Sequence, residues 1–440
     1  MSLLDAAALM LTLAACLGLF NHAVLKLPFA IGLLVSGLMA SLIVASIDYL
    51  VPSINIGVQA SKLVEDLDFP NTVLNGMLAL LLFAGALQTD LSKLRERLVT
   101  IVSLASVGVL ISAIAAGFLT YAVLQLLGID VPLIWCLAFG ALISPTDPIA
   151  VLGVMKAAKA PKALETKVIG ESLFNDGTGV ILFTIFVGVG TALMHGGEAA
   201  ADQAVSVAAV ARLLAQEIVG GIGLGLVAGY ICVLGMKPID EPNLEVMMSV
   251  ATVFVIGAVS LELHLSGPLA AVSAGLFIGN RGRMNAMSEA VANALDVVWH
   301  FVDEMLNALL FLLIGLEVFA IDGSQQYLLA GVVMIVPVLA ARFIGVAIPI
   351  AVLRKLRHRL DAGTIRMLTW GGLKGGVSVA LAMKLPAFEG RSVILTITYI
   401  IVVFSIIVQG LTVGRLIRRL YPAGIPSDAG DDSAPAHSSH

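Results

Sequence analysis

Apolar stretches of roughly 18–28 residues, each about what a helical crossing of a bilayer needs, recur from near the start of the chain to about residue 420. Short charged or Pro/Gly-rich breaks separate them. About 20 apolar residues in helical form span the ~30 Å hydrocarbon layer, and a buried soluble core does not repeat such lengths end to end. The breaks predict thirteen transmembrane helices, near residues 3–24, 28–49, 70–89, 98–127, 131–156, 165–194, 206–235, 245–263, 266–280, 298–320, 327–353, 365–385 and 392–418. The division between the eighth and ninth rests on Glu262, His264 and the turn Ser266-Gly267-Pro268. The expected fold is therefore an all-α polytopic membrane protein. Its membrane domain covers residues 1–420, and a Pro/Gly/Ser/Asp-rich tail over 421–440 has the composition of a disordered segment. Residues 50–68 fit either a short helix lying on the membrane surface or a plain loop.

Composition sharpens this picture. The 440 residues are 59 % hydrophobic and only 12 % charged, against about 25 % charged in soluble domains. No stretch is polar enough to form a soluble domain of useful size, so any chemistry is expected inside the membrane, with no nucleic-acid partner. Cys16, Cys136 and Cys232 all lie within apolar runs, without zinc-like spacing or a disulfide framework, and read as small packing residues. The first run lacks a basic leader and a cleavage site and reads as a retained helix. Net charge, −5, says less than charge placement. With thirteen alternating helices, nineteen of the 25 lysines and arginines fall on one side and four on the other, while Arg342 and Lys374 fall inside spans. The positive-inside rule then puts the C-terminus in the cytoplasm and the N-terminus outside.

Ionisable groups within spans are costly and mark functional paths. Asp147 lies in Ser144-Pro145-Thr146-Asp147-Pro148. Each proline removes a backbone donor and clashes with the preceding turn, so the fifth helix is expected to break there and line a polar cavity. Glu171 and Asp176 lie in Gly170-Glu171-Ser172-Leu173-Phe174-Asn175-Asp176-Gly177. Helical spacing pairs Ser172 with Asp176 on one face and Glu171 with Asn175 on the next, and oxygen-rich clusters of this kind suit hard cations. Lys374 lies in Gly371-Gly372-Leu373-Lys374-Gly375-Gly376, where four glycines weaken the twelfth helix. The two broken helices stand seven apart, as they would in two inverted six-helix repeats joined by one linking helix, an arrangement that puts a transport site where broken helices cross. Arg342 needs a buried carboxylate, and Glu171 is the best candidate. His22, His195, His264 and His300 lie near helix ends and read as interfacial or packed residues; Glu317, late in a span, is expected to face the outer water.

Ser-Pro-Thr-Asp-Pro at 144–148, Gly-Glu-Ser-Leu-Phe-Asn-Asp-Gly at 170–177 and Gly-Gly-Leu-Lys-Gly-Gly-Val-Ser at 371–378 resemble signatures of the sodium/proton exchangers in the monovalent cation:proton antiporter superfamily. The resemblance spans roughly residues 5–420. It implies that Asp176 carries either cation or proton, and that Ser172, Glu171 and Thr146 complete the site, Thr146 through its backbone oxygen. Asn175 before that aspartate resembles the electroneutral branch. Asp147 and Lys374 would compensate facing half-helix ends, and Arg342 would pair with Glu171. Family members are homodimers with a dimerisation domain and a moving six-helix core. Lys374 stands where the exchangers usually carry arginine.

Burial makes a carboxylate resist ionisation, a bound cation favours its charged form and a bound proton its neutral form. If the core crosses only with Asp176 neutralised, this competition makes exchange obligatory and one for one. The resemblance implies sodium or lithium as the cation and a bacterial or archaeal inner membrane as the location. Beyond the transported ions no cofactor is expected, and the chain is not expected to be an enzyme: HExxH and GxSxG motifs are absent. A potassium or broad cation/proton antiporter, and more remotely a cation channel, fit the same pattern.

Overall fold

The computed structural model describes residues 3–50, 69–158, 160–204, 207–320, 324–356 and 362–421. The expected surface segment, from residue 51 onward, and the expected tail, from residue 422, lie outside the described residues. Within them the chain is helical throughout, with no strand; the one β-bridge joins Asp147 to Leu373.

The helices are α1 Leu3–Phe20, α2 Phe29–Leu50, α3 Thr72–Leu87, α4 Leu91–Glu96, α5 Leu98–Leu126, α6 Leu133–Ile143, α7 Ile149–Ala157 and α8 Lys162–Ala204. They continue as α9 Val207–Met236, α10 Pro242–Glu262, α11 Gly267–Phe277, α12 Glu289–Leu316, α13 Gln325–Lys355, α14 Ala362–Trp370, α15 Gly376–Met383 and α16 Arg391–Leu420. Among the described residues, nine helices are long and apolar enough to cross a membrane: α1, α2, α5, α8, α9, α10, α12, α13 and α16. The other expected spans correspond to shorter or interrupted pieces: α3, α11, the pair α6/α7 and the pair α14/α15. Two boundaries differ from expectation. α8 runs to Ala204 and α12 begins at Glu289, because polar residues at helix ends outside the apolar stretch still favour helix, and hydropathy does not register them.

Packing separates the helices into two groups. α5, α8, α13 and α16 pack with the half-helices α6, α7, α14 and α15, whereas α2, α3, α9, α10, α11 and α12 pack among themselves. α8 against α9 and α11, and α15 against α3 and α12, join the groups. Small residues allow the closest approaches. A Cβ on Gly179 of α8 would fall 2.1 Å from Cγ of Pro145, so glycine there is what lets α8 lie against the proline break.

Candidate functional site

Both expected breaks are present. α6 ends at Ile143, and Ser144 turns its hydroxyl back to the Gly140 carbonyl at 2.7 Å. Pro145 offers no amide, and the chain re-enters a helix only after Pro148. α14 ends at Trp370 and α15 begins at Gly376, with the glycine-rich stretch extended between them. The two breaks meet: the Asp147 amide donates to the Leu373 carbonyl at 2.8 Å. The Asp147 side chain lies against Gly375, where a Cβ would come within 2.7 Å of its Cβ and Oδ2. That sets a carboxylate at the N-terminal end of α15, the end that favours negative charge.

A half-helix end inside a membrane leaves unsatisfied carbonyls, and each C-terminal end here receives a cation. The Lys374 ammonium donates to the Ser144 and Pro145 carbonyls at 3.1 and 3.2 Å, at the end of α6. The Ser378 hydroxyl adds a bond to the Leu142 carbonyl at 2.7 Å. Arg342, on α13, donates from Nε and Nη2 to the Leu368 carbonyl at 3.3 and 3.1 Å, near the end of α14. The same guanidinium contacts the Glu171 carboxylate, Nη1 to Oε1 at 2.6 Å, with both side chains buried. The ion pair expected between these residues is thus formed.

The two faces of α8 divide the remaining candidates. Glu171 turns to Arg342 and is not among the residues that line the cavity described below. Asn175 is fully buried and donates to the Thr146 hydroxyl at 2.8 Å, and that hydroxyl lies 3.2 Å from the Ser172 hydroxyl. Thr146 is therefore linked to α8 through its side chain, in addition to any use of its carbonyl. Ser172 and Asp176 face a cavity of about 540 Å³ that Thr146, Asp147 and Ser378 also line. No ion pair or side-chain hydrogen bond to the Asp176 carboxylate is formed among the described residues. Lys374 and Asp147 act on it electrostatically.

The cavity opens past charged groups: Asp90, Lys93, Lys156, Lys162, Glu165 and Glu304. Asp90 caps α4, accepting from the Ser92 and Lys93 amides, and its carboxylate lies 3.1 Å from the Lys93 ammonium. The bond from Lys93 is the main cause that holds the Asp90 carboxyl below the usual aspartate range. Sequence reasoning did not single out Asp303 and Asn307, which also line the cavity. Asn307 donates to the Asp303 carboxylate at 3.0 Å. Their i, i+4 spacing on α12 was the available signal, the same one that drew attention to Glu171 and Asn175. Glu317 also departs from expectation: it is 3 % exposed, packed inside the protein and not turned to the outer water, because Ser41 and Tyr399 close around the end of α12.

Residues 10–419 match the family described as "Sodium/hydrogen exchanger, transmembrane". The chain is 45 % identical over 427 residues to a Pseudomonas aeruginosa protein named Na(+)/H(+) antiporter NhaP, covering 96 % of this chain and 98 % of that one. It is 35 % identical over 356 residues to Na(+)/H(+) antiporter NhaH of Halobacillus dabanensis, covering 80 % and 84 %. Its fold is similar to the solved structure of the sodium proton antiporter MjNhaP1 from Methanocaldococcus jannaschii, with a TM-score of 0.73, 20 % identity, and 96 % and 99 % of the two chains covered. With its broken helices crossing beside an acidic cavity, this chain belongs to the transmembrane sodium/hydrogen exchanger family.

Proposed function

We propose that the chain is a secondary active antiporter that exchanges sodium for protons, one for one, through competition of the two ions for Asp176. The observation that carries this reading is the Asp176 carboxylate, set in a membrane-embedded cavity beside the crossing with no ion-pair partner among the described residues. Relatives at 45 % and 35 % identity, both named Na(+)/H(+) antiporters, support the choice of ions. Ser172 and Thr146 supply further oxygens to a partly dehydrated cation, which hard cations require. Asn175 orients the Thr146 hydroxyl. Glu171 acts at one remove, held by Arg342, and adds no second titrating charge. Asp147 and Lys374 neutralise the half-helix ends and keep the broken region rigid.

The finer architecture follows the same reading. The nine long helices, with α3, α11 and the pairs α6/α7 and α14/α15, make thirteen crossing segments in two inverted six-helix repeats around α9. The group built on α5, α8, α13 and α16 is the moving core. The group containing α2, α3 and α12 is the scaffold through which two chains form a homodimer. The basic side is cytoplasmic, in a bacterial or archaeal inner membrane, with the N-terminus outside. The cavity mouth carries Lys93, Lys156 and Lys162, so the conformation described faces inward. Exchange follows because the core crosses only with Asp176 neutralised by a cation or a proton.

The test uses proteoliposomes with an inside-acid pH gradient and acridine-orange dequenching on addition of sodium, lithium or potassium. Sodium-driven dequenching, lost in Asp176→Asn and insensitive to valinomycin with potassium on both sides, is the expected result. Retention of full exchange in Asp176→Asn overturns the assignment of the carrier. A response to potassium alone keeps the mechanism and changes the substrate.

A further inference from the structure

A second carboxylate sits in the outer half of the protein, apart from the crossing. Glu317 follows directly on the last residue of α12 and is 3 % exposed. Its Oε2 has no hydrogen-bond partner among the described residues. Two hydroxyls reach the helix end that it follows. The carbonyls of Ile314 and Gly315, at the C-terminal end of α12, accept from the hydroxyls of Tyr399 at 2.9 Å and Ser41 at 3.1 Å. The Tyr399 hydroxyl lies within electrostatic range of the Glu317 carboxylate. With their protons committed to those carbonyls, both hydroxyls keep lone pairs free. The end of α12 is itself the negative end of a helix dipole. Among the described residues, no lysine or arginine forms an ion pair with Glu317.

A buried carboxylate without a counter-charge is held either protonated or with a bound cation. A monovalent ion leaves the pocket neutral, whereas a divalent one would bury a net positive charge. We propose that Glu317, the end of α12 and the Ser41 and Tyr399 hydroxyls form a second binding site for a monovalent cation in the outer half of the protein. Tyr399 belongs to α16 and Ile314 to α12, so their hydrogen bond joins the two packing groups. Tyr399 closes the site in the conformation described, and separation of α16 from α12 opens it. As a waypoint for ions leaving Asp176 the site rests on the exchange reading; as a binding site it does not.

Equilibrium binding of radioactive thallous ion to the full-length protein in detergent at alkaline pH tests this, because saturating cation draws the chain into whichever conformation binds it. Two sites per chain are expected for the parent protein, one for Glu317→Gln and one for Asp176→Asn. Glutamine has the shape of the protonated acid, which favours folding. Tyr399→Phe, which keeps the carboxylate, provides an independent arm: the site lost in Glu317→Gln is expected to weaken by about tenfold, the loss of roughly one hydrogen bond to a charged group. A parent protein with one site that disappears in Asp176→Asn, and a Glu317→Gln variant identical to it, overturn the proposal. If Asp176→Asn keeps both its exchange activity and the parent site count, the exchange reading fails, and Glu317→Gln still decides this one.

Discussion

Replacing Glu171 with glutamine tests the electrostatics of the crossing most directly. The substitution keeps the shape of the side chain and removes its charge. Arg342 is then a buried cation, 3 % exposed, without its carboxylate. Removing one partner of a buried pair costs about 3–5 kcal/mol, most of it from the uncompensated charge. Arg342 keeps two bonds to the Leu368 carbonyl, and a cation at a helix C-terminus is favoured by about 0.3–1 kcal/mol, up to ~2 in buried geometry. The expected loss for Glu171→Gln is therefore about 2–4 kcal/mol. Arg342→Met leaves Glu171 buried without its cation. Replacing both removes both charges, and such double replacements are often close to neutral. The two single losses should then exceed the double loss by about 2 kcal/mol or more, the coupling expected for groups in direct contact. Equilibrium unfolding in mixed detergent micelles, read by tryptophan fluorescence, measures each corner of the cycle. A loss below about 1 kcal/mol for Glu171→Gln, the range of exposed pairs, or additive single losses, would refute the argument that this pair sits in a low-dielectric interior.

Three further perturbations separate the parts of the site. Lys374→Met leaves the Ser144 and Pro145 carbonyls at the end of α6 without their donor, at about 1–3 kcal/mol per buried unsatisfied group; exchange in vesicles should fall at least about tenfold, and unchanged exchange would show that the ammonium does not hold the break. Gly375→Ala puts a methyl 2.7 Å from the Asp147 side chain. Because Gly375 has φ −110° and ψ −171°, open to any residue, its cost is steric alone, and a folded protein with sodium affinity lowered several-fold is expected in transport assays. Asp90→Ala removes the cap of α4, worth about 1 kcal/mol, read as a lower unfolding midpoint. The Asp90 carboxyl is held below its ordinary range by Lys93. Its contribution is therefore fully present above about pH 4, the ordinary value, and is lost only as pH falls through the still lower folded value. Asp90→Asn should accordingly leave the shape of the exchange profile unchanged between about pH 6 and 9, and a shifted profile would place the titrating group at the cavity mouth.

The sequence carried the breaks because their causes are local. Two prolines around Asp147 and four glycines around Lys374 each act on their own stretch of backbone, whatever packs against them. The Glu171–Arg342 pair was legible for a different reason: a cation in mid-span demands a carboxylate, and few were available. What periodicity did not carry was direction. Spacing puts Glu171 and Asn175 on one face of α8 but does not say that the first turns to α13 and the second to Thr146. Asp303 and Asn307 were passed over because they lie near the start of the expected span at 298, where polar residues are ordinary, whereas α12 begins at Glu289 and sets them mid-helix. Glu317 was read as water-facing from its position along the span. Its burial depends on Ser41 and Tyr399, hundreds and tens of residues away, and no local pattern encodes such contacts.

On the proposed reading, the charge balance of the crossing also accounts for the stoichiometry. Five ionisable groups lie at or beside it. Lys374 serves the end of α6, Asp147 stands at the start of α15, and Arg342 and Glu171 satisfy each other and the end of α14. Those four sum to zero and are held by contacts with one another and with the half-helix ends. Asp176 is the remaining charge. A core that moves across hydrocarbon at low cost must be neutral at that position, so it takes one proton in one direction and one monovalent cation in the other. A second free carboxylate in place of Asn175 would raise the charge to be neutralised and break the balance. Asn175→Asp should therefore either stop exchange or make it carry current. Vesicle measurements with and without valinomycin distinguish these outcomes, and an Asn175→Asp variant that still exchanges without current would show that the count of free carboxylates does not set the stoichiometry.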